Sequence, residues 1–304
     1  MNAIDWRQES ILKEVLDQLK ILLGEVINDL TIERVVFGVF FTGVKLSNGQ
    51  GGICATPVKV MPDAVCCSSS TGRMPQAGRL KGRQALEMVE EAIREGDTAL
   101  KKALAIAVLS ALSATSWANN PPHDYVIERN TDPLDMDFSQ DKNVAVIGAL
   151  GPLLKKLKTR GVPYRVLEMD TSTLKPDEMP HYWPPEKADE ALPWADIIVS
   201  TGTTLINDSL QDLLMAARPE SEFIVVGPSA SILPGPLFDR GVTSVGGVLV
   251  TDADQLLDIL GEAGAGYHFY DRPGAGPDRP ALPAQGGAGE GGCSRAEQIP
   301  DSYL

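Results

Sequence analysis

Hydroxyl and glycine residues cluster at residues 200–208, where they could bind an anionic group of a small molecule. Gly202 is flanked by threonines, and Asn207 or Asp208 can cap the helix that the next residues predict; the threonines are Thr201, Thr203 and Thr204. Hydroxyls and backbone N–H groups at the start of a helix are suited to holding an anion. Ordinary capping of the helix explains the same residues without a ligand.

Two further turns and one acidic residue could line the same site. The turn at Gly148 departs from the dinucleotide-binding pattern G-x-G-x-x-G, because Leu150 stands where a glycine would let a pyrophosphate approach. A tight strand-to-helix turn is the alternative explanation. Glu168 lies 20 residues after Gly148, where an acidic residue commonly binds ribose hydroxyls. A rigid loop after a later strand completes the candidate set with Gly227, Pro228 and Ser229.

Residues 66–83 offer a second kind of chemistry, since cysteines, serines, glycines and arginines lie close together there. Such a segment can form an anion-binding loop, in which we expect Arg83 to neutralise ligand charge. A solvated loop is the alternative. Adjacent Cys66 and Cys67 could bind a soft metal, but no histidine or further cysteine follows at ligand spacing. We therefore predict no metal site.

The acid–base inventory of the chain identifies no catalytic group. The three histidines, His123, His181 and His268, follow no recognised motif. The sequence also lacks the serine-hydrolase, zinc-protease and phosphate-loop patterns. We therefore assign no general base and no cofactor, and we leave open whether the chain is an enzyme. The residues themselves predict a small-molecule pocket at the strand ends.

Composition narrows the classes of partner. The 304 residues carry a formal net charge of -14, and 43% of them are hydrophobic. An acidic surface repels phosphate backbones, so we expect no nucleic-acid partner. No run reaches the roughly 18 consecutive apolar residues of a membrane helix, and the first residues form no signal-peptide core. We expect a cytoplasmic location without membrane association, and a homodimer is left open.

The first half of the chain, over residues 1–120, is predicted to form a small α+β domain. Apolar residues at helical spacing predict an amphipathic helix over 4–23. Asn48-Gly49 predicts a hairpin turn, because both residues tolerate positive φ. The other predicted elements are strands over 34–46 and 53–56 and helices over 82–94 and 98–113, the last of them apolar enough to be buried.

The second half alternates short Val/Ile-rich strands with helices, which predicts a Rossmann-like, mostly parallel sheet over residues 143–270. Ligands of such sheets bind outside the carboxyl ends of the strands. A polar, proline-containing linker over 121–142 joins the two domains. Residues 271–304 hold seven glycines and five prolines, so we expect a disordered tail that buries too little surface to offset its ordering entropy. The predicted strands cover 144–148, 164–168, 195–201, 223–227 and 242–250.

Several stretches resemble the putative heavy-metal chelation family. The most specific is LPWADIIVSTGTTLIND at residues 192–208, followed by VGPS at 226–229 and LFDRGV at 237–242. In the first half, the resemblance rests on residues 38–42, the glycine-rich hairpin, residues 78–83 and the alanine-rich helix at 103–112. It covers about residues 5–270 and implies an enolase-N-terminal-like α+β domain followed by a Rossmann-like domain. Ser110 stands where the family usually carries asparagine.

Our first hypothesis is an enzyme or small-molecule-binding protein with a pocket between the domains, lined by the loops at 201–207 and 227–231, by Glu168 and by Thr42 and Arg83. The resemblance implies condensation or hydrolysis in the metabolism of pterin-, flavin- or siderophore-like chelators. A non-catalytic metal or metallophore-binding protein is the first alternative. The methyltransferase-like character of the second domain gives another, an S-adenosylmethionine-type ligand, which Leu150 argues against.

Overall fold

The computed structural model describes residues 10–60, 75–94, 98–129, 131–270 and 280–283. Its helices are α1 (Ile11–Leu23), α2 (Val26–Asp29), α3 (Ala85–Arg94), α4 (Ala99–Asn119), α5 (Gly151–Arg160), α6 (Ala188–Ala191), α7 (Leu210–Ala216), α8 (Gly235–Phe238), α9 (Ala253–Gly261) and α10 (Gly266–Tyr270). Its strands are β1 (Ile32–Phe37), β2 (Phe41–Leu46), β3 (Gly51–Ala55), β4 (Glu128–Arg129), β5 (Val144–Ile147), β6 (Tyr164–Leu167), β7 (Tyr182–Trp183), β8 (Ile197–Thr201), β9 (Glu222–Val226), β10 (Ser244–Gly246) and β11 (Pro280–Pro283).

Within the described ranges the strands form two sheets. The first is antiparallel, in the order β1-β2-β3. The second has the order β4-β11-β10-β9-β8-β5-β6-β7, in which the six strands from β10 to β7 run parallel. The prediction of a Rossmann-like, mostly parallel sheet preceded by a small α+β unit is confirmed.

Two helices cover the opposite faces of the three-stranded sheet, and one of them comes from the far end of the chain. Gly52 faces α4, where an added Cβ would lie 2.0 Å from the carbonyl oxygen of Ala107. Gly43 faces α9, where an added Cβ would lie 2.6 Å from Leu257 Cδ2. α9, which follows β10 of the second sheet in the chain, therefore packs on the sheet of the first half.

The segment 34–46, which the apolar pattern predicts as one strand, forms two strands. Gly38 donates its backbone N–H to the carbonyl of Phe41 at 2.9 Å, which closes a tight turn between β1 and β2. An added Cβ at Gly38 would lie 2.7 Å from the carbonyl oxygen of Leu260, so this turn fits only a glycine against α9. The apolar pattern continues through the turn, which is why the prediction of a single strand was wrong.

Residues of the predicted linker pack on the second sheet. Phe138 is buried among residues of α5, including Leu153 and Leu157. Lys156 donates to the carbonyl of Leu134 at 2.6 Å. The part of the chain that packs on the second sheet therefore begins before residue 143, within the predicted linker.

Several predictions fall on residues that the structure does not describe. They include the segment with Cys66 and Cys67, the first residues of the predicted helix over 4–23, and most of the segment 271–304, including Cys293. Within that last segment, the structure describes Pro280–Pro283 as a strand that pairs antiparallel with β10 and β4.

One helix among the described residues, α4, is long and apolar enough to cross a membrane by length and composition alone. Of its most apolar window, 83% is buried inside the protein. The core position of α4 between α1, α3 and the three-stranded sheet accounts for that apolar character.

Candidate functional site

The carboxyl ends of the parallel strands converge at one edge of the second sheet. The chain runs from β5 outward through β6 to β7, and then crosses to β8 on the other side of β5. The ends of β5 and β8 therefore flank the switch point of the topology, where open α/β sheets bind ligands. We call this place the strand-end crevice, and the turns after β5, β6 and β8 form its floor.

Gly148 and Thr201 bring the two central turns into contact. A Cβ added at Gly148 would lie 2.8 Å from Thr201 Cγ2, and the residue has φ +94°, which side chains rarely adopt. Both observations explain the glycine without a ligand. They also place the turn after β5 directly against the threonine-rich turn after β8, as the sequence predicts for neighbouring strand ends.

Glu168 holds the turns after β5 and β6 together. Its Oε2 accepts the backbone N–H of Ala149 at 2.8 Å, and its Oε1 accepts that of Asp170 at 2.9 Å. A carboxylate has two lone pairs on each oxygen, so one more donor can bind on each side. Glu168 fixes the shape of the crevice floor and retains capacity for a ligand hydroxyl.

The threonines after β8 divide into two groups. Thr204 is buried, and its hydroxyl donates to the carbonyl of Thr201 at 2.8 Å, so it stabilises the turn from inside. Thr203 is half-buried, and its hydroxyl donates to Thr201 Oγ1 at 3.2 Å. Gly202 is buried against the next loop, since an added Cβ would lie 2.7 Å from Ala230 N. Thr201 and Thr203 are therefore the threonines of this turn that are half-buried rather than buried.

Asn207 spans the crevice rather than capping α7. Its Nδ2 donates to Met169 Sδ at 3.8 Å, which links the turn after β8 to the turn after β6, over the end of β5. Its Oδ1 accepts the backbone N–H of Ser209 at 3.2 Å and the Ser209 hydroxyl at 2.7 Å. Asp208 has φ +60° and forms an ion pair with Lys102 of α4.

The loop after β9 joins the two halves of the chain. The buried hydroxyl of Ser229 accepts the backbone N–H of Ala55 at 3.0 Å and the Cys54 thiol at 3.4 Å. Pro228 is half-buried, and Gly227 has φ +111° and donates its N–H to the carbonyl of Gly246 at 2.8 Å. Ser229 is thus engaged in packing between the halves.

The segment 55–59 crosses above the strand ends. It is tied at one end by the bond from Ala55 to Ser229, after β9, and at the other by the ion pair of Lys59 with Asp170, after β6. These points follow strands that are three strand spacings apart, about 14 Å. A 3-10 turn over Val58–Val60 carries Lys59 at the far end of the segment. Sequence reasoning missed Lys59, because nothing around it repeats or matches a motif.

Thr42 and Arg83 lie at opposite ends of the first sheet. Thr42 is buried at the end nearer the crevice, and its hydroxyl lies 3.0 Å from that of Thr56. Arg83 accepts the backbone N–H of Ile32 at the other end, and its guanidinium pairs with Glu91 at 2.6 Å. The structure brings Thr42 close to the segment 55–59, whereas Arg83 lies away from the crevice.

The part of the chain that the structure describes gathers no group of three or more His, Cys, Asp or Glu side chains that could hold a metal ion. Cys54 is its one free cysteine, and burial raises the pKa of that thiol to about 12. A thiol that stays protonated at neutral pH is a poor metal ligand. The described residues therefore do not fit a soft-metal centre.

We expect Cys54 to resist alkylation in the folded protein. A thiol pKa of about 12 leaves almost no thiolate at pH 8, and the side chain is fully buried. Treatment with iodoacetamide at pH 8, followed by peptide mapping, should modify Cys54 only after denaturation. Rapid labelling of Cys54 in the native protein would contradict the packing of β3 on the loop at Ser229.

A separate hollow lies between α1 and the residues that follow β8. Its volume is about 110 Å³, and it is lined by Ser10, Ile11, Leu12, Thr204, Leu205, Asp208, Leu210 and Gln211. Small-molecule sites usually occupy about 300–1,000 Å³. The hollow is too small for such a ligand, and its lining includes none of the strand-end residues Gly148, Glu168 and Thr201.

Two family models, both described as putative heavy-metal chelation, match residues 20–113 and 132–274. Two solved structures of proteins of unknown function share the fold over 90% of this chain. The one from Pyrococcus horikoshii is 18% identical, with a TM-score of 0.67 over 99% of its length. The one from Desulfitobacterium hafniense is 15% identical, with a TM-score of 0.65 over 100% of its length.

One curated protein is also similar in sequence to this chain. An uncharacterized protein of Methanocaldococcus jannaschii is 26% identical over 187 residues, which are 60% of this chain and 68% of that protein. One family model covers the three strands of the first sheet and ends within α4, and the other covers the parallel strands β5 to β10 of the second sheet. The chain belongs to the putative heavy-metal chelation family.

Proposed function

We propose that the chain binds a small organic molecule with an anionic group in the strand-end crevice. The observation that carries this proposal is the meeting of three strand-end turns at the topological switch point, beneath the segment 55–59. Glu168 holds two of these turns by hydrogen bonds to their backbones. A floor fixed in this way is preorganised for a ligand.

Different residues of the strand-end crevice are suited to bind different groups of the ligand. Thr201 and Thr203 offer hydroxyls at the end of β8, and α5 directs its positive N-terminal end toward the same edge. Both features favour an anionic group. Glu168 can accept a ligand hydroxyl on its remaining lone pairs. The ligand therefore combines an acidic group with at least one polar donor.

The family description points to metal chelation, whereas the described residues gather no metal ligands of their own. We reconcile the two by proposing that the ligand is an organic chelator or its precursor. Such molecules carry the carboxylates and hydroxyls that the crevice is suited to bind. Condensation or hydrolysis of such a chelator is the reaction class that we propose for the site.

An S-adenosylmethionine-type ligand fits less well. The side chain of Leu150 packs on the core beside α5 where a dinucleotide-binding turn has a glycine. Glu168 does not distinguish the two ligand classes, because its remaining lone pairs can accept a ribose hydroxyl as well as any other hydroxyl.

Substitution of Thr203 tests the proposal. Thr203→Val keeps the shape of the side chain and removes its hydroxyl, so we expect binding to weaken by about tenfold, the effect of one lost hydrogen bond. Native mass spectrometry would identify co-purifying molecules, and thermal shifts with citrate, phosphate and S-adenosylmethionine would rank ligand classes. A ligand at 100 times its Kd adds about 2.7 kcal/mol of stability.

The matched control is Thr159→Val, which removes an exposed threonine hydroxyl on α5 that bonds only the carbonyl of Lys155 among the contacts described. It should bind as the unmodified protein does. Equal affinity of the Thr203→Val and Thr159→Val variants for the same ligand would refute the assignment of the site.

A further inference from the structure

The mouth of the strand-end crevice places one exposed cation among exposed apolar side chains. Lys59 pairs with Asp170 there. Val58 and Met169 are their neighbours along the chain, and both are exposed, as is Phe40. We propose that this mouth binds the outer part of the ligand, an amphipathic organic anion, of which one acidic group replaces Asp170 at Lys59 while its apolar part lies on Val58, Phe40 and Met169. The inference rests on the proposed function and narrows its ligand class.

The ion pair at the mouth can exchange its anion at little cost. The side chains of Lys59 and Asp170 are 62% and 37% exposed, and exposed pairs contribute little to stability. Lys102, the cation of the neighbouring pair with Asp208, is only 14% exposed. The chain carries a net charge of -14, so an anionic ligand needs a local cation to overcome the general repulsion. Lys59 is placed to supply it.

The exposed apolar residues lie on segments that meet near that cation. Thr56 donates its N–H to the carbonyl of Phe40 at 2.9 Å, which brings the β1–β2 turn beside the segment 55–59. Asn207 holds Met169 over the end of β5. Single exposed apolar residues are ordinary on protein surfaces. Three of them on the segments that meet at one replaceable ion pair favour a ligand that has both an apolar part and a charged group.

Two variants, one for each partner of the ion pair between Lys59 and Asp170, test this inference, because it predicts opposite effects for them. In Lys59→Met, the acidic group loses its partner, so octanoate should bind at least tenfold more weakly. In Asp170→Asn, the internal competitor for Lys59 is gone, so octanoate should bind more tightly. Isothermal titration calorimetry at low salt measures both, and raising the salt should weaken binding because the contact is exposed.

Two further probes separate the apolar and acidic contributions. Octyl phosphate in place of octanoate distinguishes phosphate from carboxylate recognition, and octyl glucoside below its micellar concentration carries the same tail without charge. Phe40→Ser should weaken octanoate binding and leave butanoate binding less affected. Lys13→Met is the matched control, because Lys13 forms an exposed ion pair with Asp17 on α1.

The outcomes decide between a ligand site and a structural tie. Parallel weakening by Lys59→Met and Asp170→Asn would show that the pair only fastens the segment 55–59, and the inference would fall. Equal binding of octyl glucoside and octanoate, or no binding of any probe at millimolar concentration, would also overturn it. If Thr203→Val weakens binding of a co-purifying molecule as expected while Lys59→Met leaves it unchanged, the proposed function stands and only this inference fails.

Discussion

Replacing Glu14 with methionine is expected to lower the free energy of unfolding by about 3–5 kcal/mol, the usual effect of removing one partner of a buried ion pair. Glu14 of α1 binds Arg240, after α8, through both of its oxygens at 2.6 Å. The side chain of Arg240 is fully buried, so the substitution leaves a guanidinium charge without its carboxylate. Chemical denaturation monitored by circular dichroism measures the loss.

The paired substitution is the control for this effect. Glu14→Met combined with Arg240→Met removes both charges, and we expect it to recover most of the lost stability, because apolar replacements of buried pairs are often neutral. Asp17→Asn, at an exposed pair on the same helix, should change stability by less than about 1 kcal/mol. A loss below that size for Glu14→Met alone would mean that the pair is solvated and that α1 and α8 are not clamped there.

Replacing Gly52 with alanine should cost at least about 3 kcal/mol, the upper end of the usual range for overpacking. The added Cβ would lie 2.0 Å from the carbonyl oxygen of Ala107 and 2.5 Å from the backbone nitrogen of Ala111. Both atoms belong to the backbone of α4, so no side-chain rotation relieves the clash. The helix must move away from β3, and the buried contacts along it are lost.

The matched control is Gly49→Ala. Gly49 has φ +86°, but an added Cβ there would meet nothing within 4 Å. The substitution therefore measures backbone strain alone, about 1–2 kcal/mol. Thermal and urea unfolding of both variants would separate the clash from the strain. Equal losses for Gly52→Ala and Gly49→Ala would contradict the close approach of α4 to β3.

Local patterns predicted the elements that depend on neighbouring residues. The apolar run around residues 103–112 predicted a buried helix, and α4 is buried on nearly all sides. Asn48-Gly49 predicted the turn between β2 and β3 because positive φ is a local requirement, and Gly49 has φ +86°. The Val/Ile runs of the second half predicted the parallel strands, because strands buried on both faces need apolar residues at every position.

Contacts between distant residues were not predictable in this way. The apolar stripe of α9 fits the Rossmann-like sheet and the three-stranded sheet equally well, so periodicity could not choose between them. The choice is made by Gly43, whose missing side chain admits Leu257 and Leu260. Such shape complementarity depends on residues more than 200 positions apart, and one sequence does not reveal it.

The same difference between local patterns and distant contacts applies to the candidate site. The glycines and threonines of the strand-end turns were identified because their types suit both tight turns and anions. The partners that each polar group actually has were not: Ser229 bonds to Ala55, Arg83 pairs with Glu91, and Lys59 reaches Asp170. A polar residue in a motif can serve packing or a ligand, and only the distances distinguish the two.

The crossing of α9 onto the first sheet limits how this chain could be divided. A fragment that ends after residue 120 would retain β2 but expose the face at Gly43, with Val36, Phe41 and Ile53 deprived of the apolar layer they pack against. The two halves are therefore not independent modules. Separating them between two genes would leave exposed apolar surface on the sheet of the first half and on α9. An exchange of the first half for another domain would therefore also have to replace α9, which covers one face of its sheet.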